Sequence, residues 1–275
     1  MRRWGARIGL YAGLLVLTLF SAFPFYWMVI SSLKTFSELL AGAPTFWPSR
    51  LSWGFYANVL TSTSFPTFFW NTLIVTLTTT GVAVTLASFA GYGLARLRFR
   101  GKRLMGRSVL LGYMFPQILL VVPLFVAIVR LGLADSYLGL TLTYVTFAFP
   151  FATWLLTAYY QTIPVELEEA ARIDGASNAG AFFRITLPLA LPGIATAAIF
   201  SFILAWNEFL YGLVIMNSEA KKTLAVGLYS FVGGEFSRWG EMLAASTMIV
   251  LPVLVFVLLV QRHIVSGLAA GALKG

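Results

Sequence analysis

Apolar residues are arranged along the chain in six long runs, separated by shorter segments that carry most of the charge. A helix needs about 20 predominantly apolar residues to cross a bilayer, and each run is long enough. The predicted spans lie at about residues 8–31, 69–95, 107–130, 138–160, 191–216 and 241–263. The pattern predicts an all-α membrane protein with six transmembrane helices, forming a single transmembrane domain over residues 1–275.

The composition narrows the possible chemistry. Hydrophobic residues make up 59% of the chain and charged residues 11%, which leaves no room for a sizeable soluble domain. There is no cysteine and one histidine, so we expect no metal site, no redox chemistry and no cofactor bound by this chain. The net charge of +9 does not predict nucleic acid as a partner, because the basic residues stand at the ends of apolar runs.

The distribution of lysine and arginine predicts the orientation. With six spans the two termini share one side of the membrane, and that side holds 13 basic residues against 6 on the other. Cytoplasmic segments carry the excess of Lys and Arg in membrane proteins. We therefore expect both termini, the basic loop 96–107 and the loop 161–190 to face the cytoplasm. The first span begins like a secretory signal, but its length predicts that it is retained.

One acidic residue lies clearly inside a span. Glu208 stands about 17 residues into the fifth apolar run, within the sequence AWNEFLYG. An ionisable residue inside a membrane is costly, which makes Trp206, Asn207 and Glu208 candidates for a pathway or gate. The alternative is a structural position of Glu208 near the outer interface, beside Trp206 and Tyr211.

The loop 161–190 concentrates acidic residues and helix signals. Thr162 is placed to cap a helix, Pro164 suits its first turn, and the glutamates that follow favour the positive end of the helix dipole. Gly175 predicts the end of this helix, and Ser177 predicts the cap of a second helix with an apolar side. The acidic residues of the first helix are Glu166, Glu168, Glu169 and Asp174, and the apolar residues of the second are Phe182, Phe183 and Ile185.

The first loop helix has the composition of a docking element. Ala170 and Ala171 allow its backbone to approach a groove closely, and the neighbouring carboxylates favour basic residues around that groove. The alternative is an ordinary, well-capped loop, since capping alone accounts for the glutamates and the glycine.

The spacing of the loop resembles a family signature. Glu169-Ala170-Ala171, three residues, Gly175, nine residues and then Ile185-x-Leu187-Pro188 is similar to the EAA motif of ABC-importer permeases, and Asp174 fits its usual form. The stretch AWNEFLYG and the tail VSGLAAGALKG resemble the carbohydrate branch, in particular the smaller, G-type permease subunit of the maltose transporter. The resemblance implies a type I ABC-importer permease fold.

The resemblance also implies a mechanism and partners. The first loop helix is implied to be a coupling helix seated in a separate ATPase, with Glu169, Ala170, Ala171, Asp174 and Gly175 in contact, and Ile185, Leu187 and Pro188 completing the motif. ATP and Mg would be bound by that partner, because this chain lacks the sequence G-x-x-x-x-G-K-[ST]. The chain would have no catalytic residues of its own.

The implied assembly is a prokaryotic inner-membrane importer. Its other subunits would be a second permease, a pair of ATPases and an extracytoplasmic sugar-binding protein, which Gly233 and Gly234 of the loop 216–240 would contact. The expected substrate is a di- or oligosaccharide. Alternatives are another solute, such as glycerol phosphate, or an ion-coupled secondary transporter.

Overall fold

In the computed structural model, the described residues are 2–41, 44–229, 231 and 238–272, and among them the regular structure is helical, without strands. The helices are α1 (Arg2–Ser32), α2 (Phe36–Leu39), α3 (Gly54–Ser62), α4 (Phe65–Arg96), α5 (Lys102–Met114), α6 (Val121–Arg130), α7 (Tyr137–Thr162), α8 (Val165–Ile173), α9 (Asn178–Ala181), α10 (Leu187–Leu189), α11 (Leu191–Asn207), α12 (Leu210–Ile215), α13 (Leu224–Tyr229) and α14 (Trp239–Ala272). Two 3-10 turns (Gln117–Leu120 and Glu219–Lys221) and a π-helical turn (Phe182–Thr186) complete the described elements.

Four described helices are long and apolar enough to cross a membrane individually, within α1, α4, α7 and α14. Two bent pairs raise the number of candidate spans to six: Lys102–Met114 with Gln117–Arg130, bent by 96°, and Asn178–Leu189 with Leu191–Asn207, bent by 72°. In the regions predicted as spans at about 107–130 and 191–216, the described helices are interrupted, although both regions supply membrane-length apolar segments.

The first break lies at Phe115 and Pro116. Phe115 has an extended backbone (φ −72°, ψ 130°). The ring of a proline disfavours helical backbone at the preceding residue, and proline itself lacks the N–H that would continue the ladder. Helix α5 begins at Lys102, before the predicted start of the third span at about residue 107, and the chain turns sharply after Met114.

A further break lies at Glu208, inside the predicted fifth span, and it is distinct from the 72° bend, which lies at Ala190. Its backbone is extended (φ −70°, ψ 124°), so α11 ends at Asn207 and the short helix α12 begins at Leu210. At the other end, Pro192 stands in the first turn of α11, where its missing N–H leaves no broken hydrogen bond.

The helices form two compact units, and the first contains residues 1–66 and 227–251. Within it α3 packs on the start of α14: a Cβ added at Gly240 would meet the ring of Phe55 at 2.2 Å, and Asn58 donates to Glu241 at 2.7 Å. The buried ammonium of Lys34 donates to the carbonyl of Thr45 at 2.6 Å, which satisfies a charge that burial would otherwise penalise.

The second unit contains residues 67–226 and 252–275, and α7 lies at its centre. Helices α5 and α11 both pack on α7. Gly193 of α11 allows a close approach, since a Cβ there would lie 2.5 Å from Cγ of Tyr159. Ala83 and Ala87 of α4 are fully buried, and such small residues allow helices to pack closely.

Two apolar clusters form the core of the second unit. One joins α7 to α12 through Tyr144, Phe147, Tyr211 and Ile215. The other lies under the acidic loop and includes Ala87, Leu156, Tyr160, Phe182 and Ala197. The second loop helix is thus part of the core, and the loop 161–190 has a packed base.

Candidate functional site

Helix α8 is the part of the loop 161–190 in which most residues are exposed. It begins after Pro164, which is the N-cap residue with an extended backbone (φ −57°, ψ 129°). The predicted cap at Thr162 was wrong, because its hydroxyl donates backwards to the carbonyl of Tyr159 at 2.7 Å and Thr162 still belongs to α7. Glu166 and Glu168 occupy the first turn, where negative charge is favourable.

The end of α8 is a Schellman motif. Gly175 has φ +89°, a left-handed conformation that favours glycine. Its N–H donates to the carbonyl of Arg172 at 3.1 Å, and the N–H of Ala176 donates to Ala171 at 2.9 Å. These are the two hydrogen bonds of that motif, so the stop predicted at Gly175 is confirmed.

The second loop helix, which consists of α9, the π-helical turn and α10, attaches the loop 161–190 to the core. Ser177 caps α9 by accepting from the N–H of Gly180 at 3.1 Å, as predicted. The π-helical turn that follows buries Phe182 against the ring of Tyr92, with ring centroids 4.6 Å apart. Ile185 and Leu187 are half-buried, whereas Pro188 and Phe183 are exposed, so the predicted apolar side extends only partly into the core.

Glu168 forms a buried clasp that the sequence did not reveal. Glu168 is 3% exposed. Its carboxylate accepts hydrogen bonds from Nε of Arg96 at 2.8 Å, from the hydroxyl of Thr186 at 2.8 Å and from the hydroxyl of Tyr92 at 2.9 Å. Arg96 also donates to the carbonyl of Ile163 at 2.5 Å. The clasp connects α8 with the end of α4 and with the second loop helix.

The charge of the clasp follows from its hydrogen bonds. Burial alone would raise the pKa of Glu168, but the hydrogen bonds from Arg96, Thr186 and Tyr92 outweigh burial and lower the pKa below its ordinary value. The carboxylate is therefore ionised at neutral pH and pairs with the guanidinium. The sequence contains no pattern that relates Arg96 to Glu168, because the two residues belong to different predicted loops.

The opposite side of α8 faces outwards. The predicted contact residues Glu169, Ala170, Asp174 and Gly175 are exposed, and Ala171 is half-buried. They form one continuous surface together with Leu167 and Ile173, which are exposed although apolar; Ile173 is 87% exposed. Large apolar side chains exposed on a loop helix are typical of a protein contact surface. We call the surface formed by Leu167, Glu169, Ala170, Ile173 and Asp174 the α8 surface.

The three consecutive residues predicted for a pathway or gate have different surroundings in the structure. Trp206 is 2% exposed and stacks on Phe202, with ring centroids 5.4 Å apart. Asn207 is exposed and its amide donates to the carbonyl of Ile203. Glu208 is half-buried, and its carboxylate accepts from the N–H groups of Tyr211 and Gly212. Glu208 thus accepts hydrogen bonds from N–H groups in the first turn of α12.

A polar clasp fixes the start of the loop 216–240. The carboxylate of Asp135 accepts from the N–H groups of Asn217 and Ser218 at 3.0 and 3.1 Å and pairs with Lys221 at 3.3 Å. The hydrogen bonds from the Ser218 hydroxyl and N–H, with the Lys221 contact, lower the pKa of Asp135 to about 2. The predicted contact residues Gly233 and Gly234 lie outside the described residues.

Comparison with known proteins places this architecture in a family. A family model described as "Binding-protein-dependent transport system inner membrane component" matches residues 83–269. The chain is 39% identical over 276 residues to the inner membrane ABC transporter permease protein YcjP of Escherichia coli, covering 100% of this chain and 99% of YcjP. It is 37% identical over 273 residues to the trehalose/maltose transport system permease protein MalG of Thermococcus litoralis, covering 98% and 97%.

The fold is also shared with a solved structure. A chain of a bacterial ABC transporter involved in the import of the acidic polysaccharide alginate superimposes with a TM-score of 0.81 at 24% sequence identity, covering 95% of this chain and 96% of that chain. The predicted all-α, multi-pass fold of the type I importer permeases is confirmed. Because the family model matches more than half of the sequence and both relatives align over nearly all of it, the chain belongs to the family of binding-protein-dependent transport system inner membrane components, the permeases of ABC importers.

Proposed function

We propose that the chain is the permease subunit of an ATP-driven importer for a di- or oligosaccharide, and that α8 is the helix through which a separate ATPase drives it. The carbohydrate assignment is supported by the trehalose/maltose permease among its relatives and by the AWNEFLYG and tail sequences. The observation that carries the coupling role is the α8 surface, an exposed patch of apolar, small and acidic side chains on a helix clasped to the core.

The chemistry of the α8 surface suits a groove with basic edges. Ile173 and Leu167 offer apolar area, and the carboxylates of Glu169 and Asp174 add an orientation-dependent attraction to cations. Ala170 lets the helix backbone approach closely. The partner we propose is an ATPase that binds ATP and Mg, since this chain carries no P-loop sequence and binds no cofactor in our proposal.

The clasp of Glu168 gives this surface a mechanical connection. Arg96 is the last residue of α4, and Thr186 belongs to the second loop helix. A displacement of α8 by the ATPase would therefore be transmitted to a membrane-spanning helix and to the core cluster around Phe182, instead of being lost in a flexible loop. Alternating access then follows from the movement of α4 and of the helices packed beside it.

The remaining subunits are assigned by the same proposal. The excess of basic residues on the side of α8 supports a cytoplasmic position for this loop and both termini. A second permease completes the pathway, and the sugar-binding protein contacts the opposite side at the loop that contains Gly233 and Gly234. Asn207 and Glu208 remain candidates for the pathway, with Trp206 supporting them from the core.

The decisive experiment compares two glutamates in matched surroundings. The side chains of Glu169 and Glu219 are both 58% exposed, and each pairs with a cation three residues away. In the assembled transporter, Glu169→Lys should weaken ATPase association by about tenfold or more, because it reverses a charge at the contact. Glu219→Lys makes the same change in the segment 216–222 and should leave association unchanged. Co-purification of the ATPase and sugar uptake measure the two effects.

A second variant tests the shape of the surface without changing charge. Ala170→Trp adds bulk at an exposed position of α8. It should reduce both ATPase association and uptake while thermal unfolding stays unchanged. If Glu169→Lys and Ala170→Trp both retain wild-type association, the coupling role of α8 is wrong.

A further inference from the structure

A pocket of about 540 Å³ opens at the end of the second unit that carries the basic loop 96–107. Its walls are the end of α4, the first two turns of α5 and the last turns of α7. Lys102 and Arg103 line it together with Val109, Trp154 and Gln161. The proposed coupling function uses none of these residues.

The mouth of the pocket is cationic. No acidic residue lines it, and an adjoining pocket shares Lys102 and Arg103 and adds Arg98 and Arg107. Among the described residues, none of the ion pairs involves a cation of this group. Lys102 is held in place because its ammonium donates to the carbonyls of Ala95 and Leu97 at 3.3 and 3.1 Å. The positive charge is thus positioned and lacks an anionic partner within the described chain.

The inner wall of the pocket is largely apolar. Val109 lies seven residues into α5, about 10 Å along the helix from its start. Across from it on α7, Trp154 is 48% exposed and lies eight residues before the end of that helix. Leu94 and Ala158 also line this wall. An apolar wall of this length beside a cationic mouth matches a headgroup joined to hydrocarbon.

We infer that this pocket binds an anionic phospholipid, with the phosphate between Lys102 and Arg103 and the first acyl carbons along Val109 and Trp154. Gln161 supplies an amide at the level of the glycerol backbone. Basic pockets between membrane helices are known to suit anionic headgroups. A free phosphate ester would use the same cations, but it would leave the apolar wall without a function, and this favours the lipid. The site is independent of the coupling role proposed for α8.

The test uses the full-length chain purified in detergent and native mass spectrometry. Phosphatidylglycerol and phosphatidylcholine with identical acyl chains are titrated separately, and wild type should retain phosphatidylglycerol preferentially. Lys102→Gln combined with Arg103→Gln should weaken phosphatidylglycerol binding by about 25-fold, at roughly fivefold per cation. Gly106→Leu should also weaken it, because a Cβ there meets open space and a larger side chain would fill the pocket without changing charge.

The matched control removes two cations elsewhere. Arg100→Gln combined with Arg184→Gln gives the same net charge, and both residues are exposed and line neither pocket; this variant should retain phosphatidylglycerol. Equal binding of the two lipids by wild type, or equal loss in the pocket and control variants, overturns the inference. Millimolar glycerol 3-phosphate should not displace the lipid; displacement would assign the site to a soluble phosphate ester and overturn it as well.

Discussion

Glu168 differs from the other acidic residues of α8 because its carboxylate points into the protein. A buried ion pair contributes little net stability compared with apolar residues of similar shape, but removing one partner leaves a costly unpaired charge. The other hydrogen bonds to Glu168, from Tyr92 and Thr186, fix its orientation as well as its charge. At the residue scale, one side chain determines how firmly the α8 surface is connected to α4.

We expect Glu168→Gln to destabilise the protein and uncouple it. The amide keeps the shape but leaves the guanidinium of Arg96 without an anion, which should reduce the free energy of unfolding by about 2–3 kcal/mol. Sugar-stimulated ATP hydrolysis in the assembled transporter should fall as well. Glu166→Gln, an exposed residue in the same turn, should change stability by less than about 0.5 kcal/mol.

A double substitution distinguishes a role of the clasp in coupling from a role in stability alone. Combining Glu168→Leu with Arg96→Met removes both charges, so thermal stability should recover relative to Glu168→Gln while uptake remains low. If uptake recovers together with stability, the clasp only maintains the fold and does not transmit movement.

At the scale of elements, the segment 216–224 is attached to α4 and to the connection between α6 and α7 by polar contacts. The amide of Asn71 donates to the carbonyls of Ala220 and Lys222, each at 2.9 Å, and the hydroxyl of Thr72 accepts from the N–H of Leu224 at 2.7 Å. Asp135 adds the clasp at the start of the segment, from a left-handed backbone (φ +51°). The segment is thus held at both ends by residues of the membrane helices or their connections.

The Asp135 clasp predicts a pH dependence at low pH. The folded pKa of about 2 lies below the ordinary value of roughly 3.9, so the stabilisation is fully present above pH 4 and is lost as pH falls towards 2. The protection of the backbone amides of residues 217–221, which is the intrinsic exchange rate at each pH divided by the measured rate, should fall over that window in wild type. In Asp135→Asn this protection should be low throughout and nearly independent of pH. A variant that keeps the wild-type dependence would assign it to another group.

At the scale of the whole molecule, the charge distribution predicts which loops share a side of the membrane. Arg100, Asn178 and Glu219 are exposed and lie in three different loops. The sequence contains no cysteine, so a single introduced thiol reports its own position without a background.

We expect Glu219→Cys to react with a membrane-impermeant maleimide in intact cells. Arg100→Cys and Asn178→Cys should react only after permeabilisation, because we propose that the basic side faces the cytoplasm. Gel-shift labelling measures all three variants. Labelling of Asn178→Cys in intact cells would place α8 outside and would exclude an intracellular ATPase as its partner.

The sequence predicted features that depend on local chemistry. Apolar runs located the spans, and the conformational preference of Gly175 and the hydroxyl of Ser177 located the ends of the loop helices. Hydropathy did not predict the breaks at Phe115 and Glu208, because an apolar run looks the same whether or not its backbone is continuous. The clasp was also missed, since Arg96 and Glu168 lie 72 residues apart and meet only when α4 and α8 have packed.

The clasp between Arg96 and Glu168 has a consequence for building chimeric transporters. Grafting residues 161–190 onto another permease would transfer the whole α8 surface, but would leave behind Arg96 and Tyr92, which neutralise and orient Glu168. The graft would bury the carboxylate of Glu168 in the host permease without the arginine that pairs with it. The exchangeable module of this protein is therefore discontinuous: the loop together with the final two turns of α4.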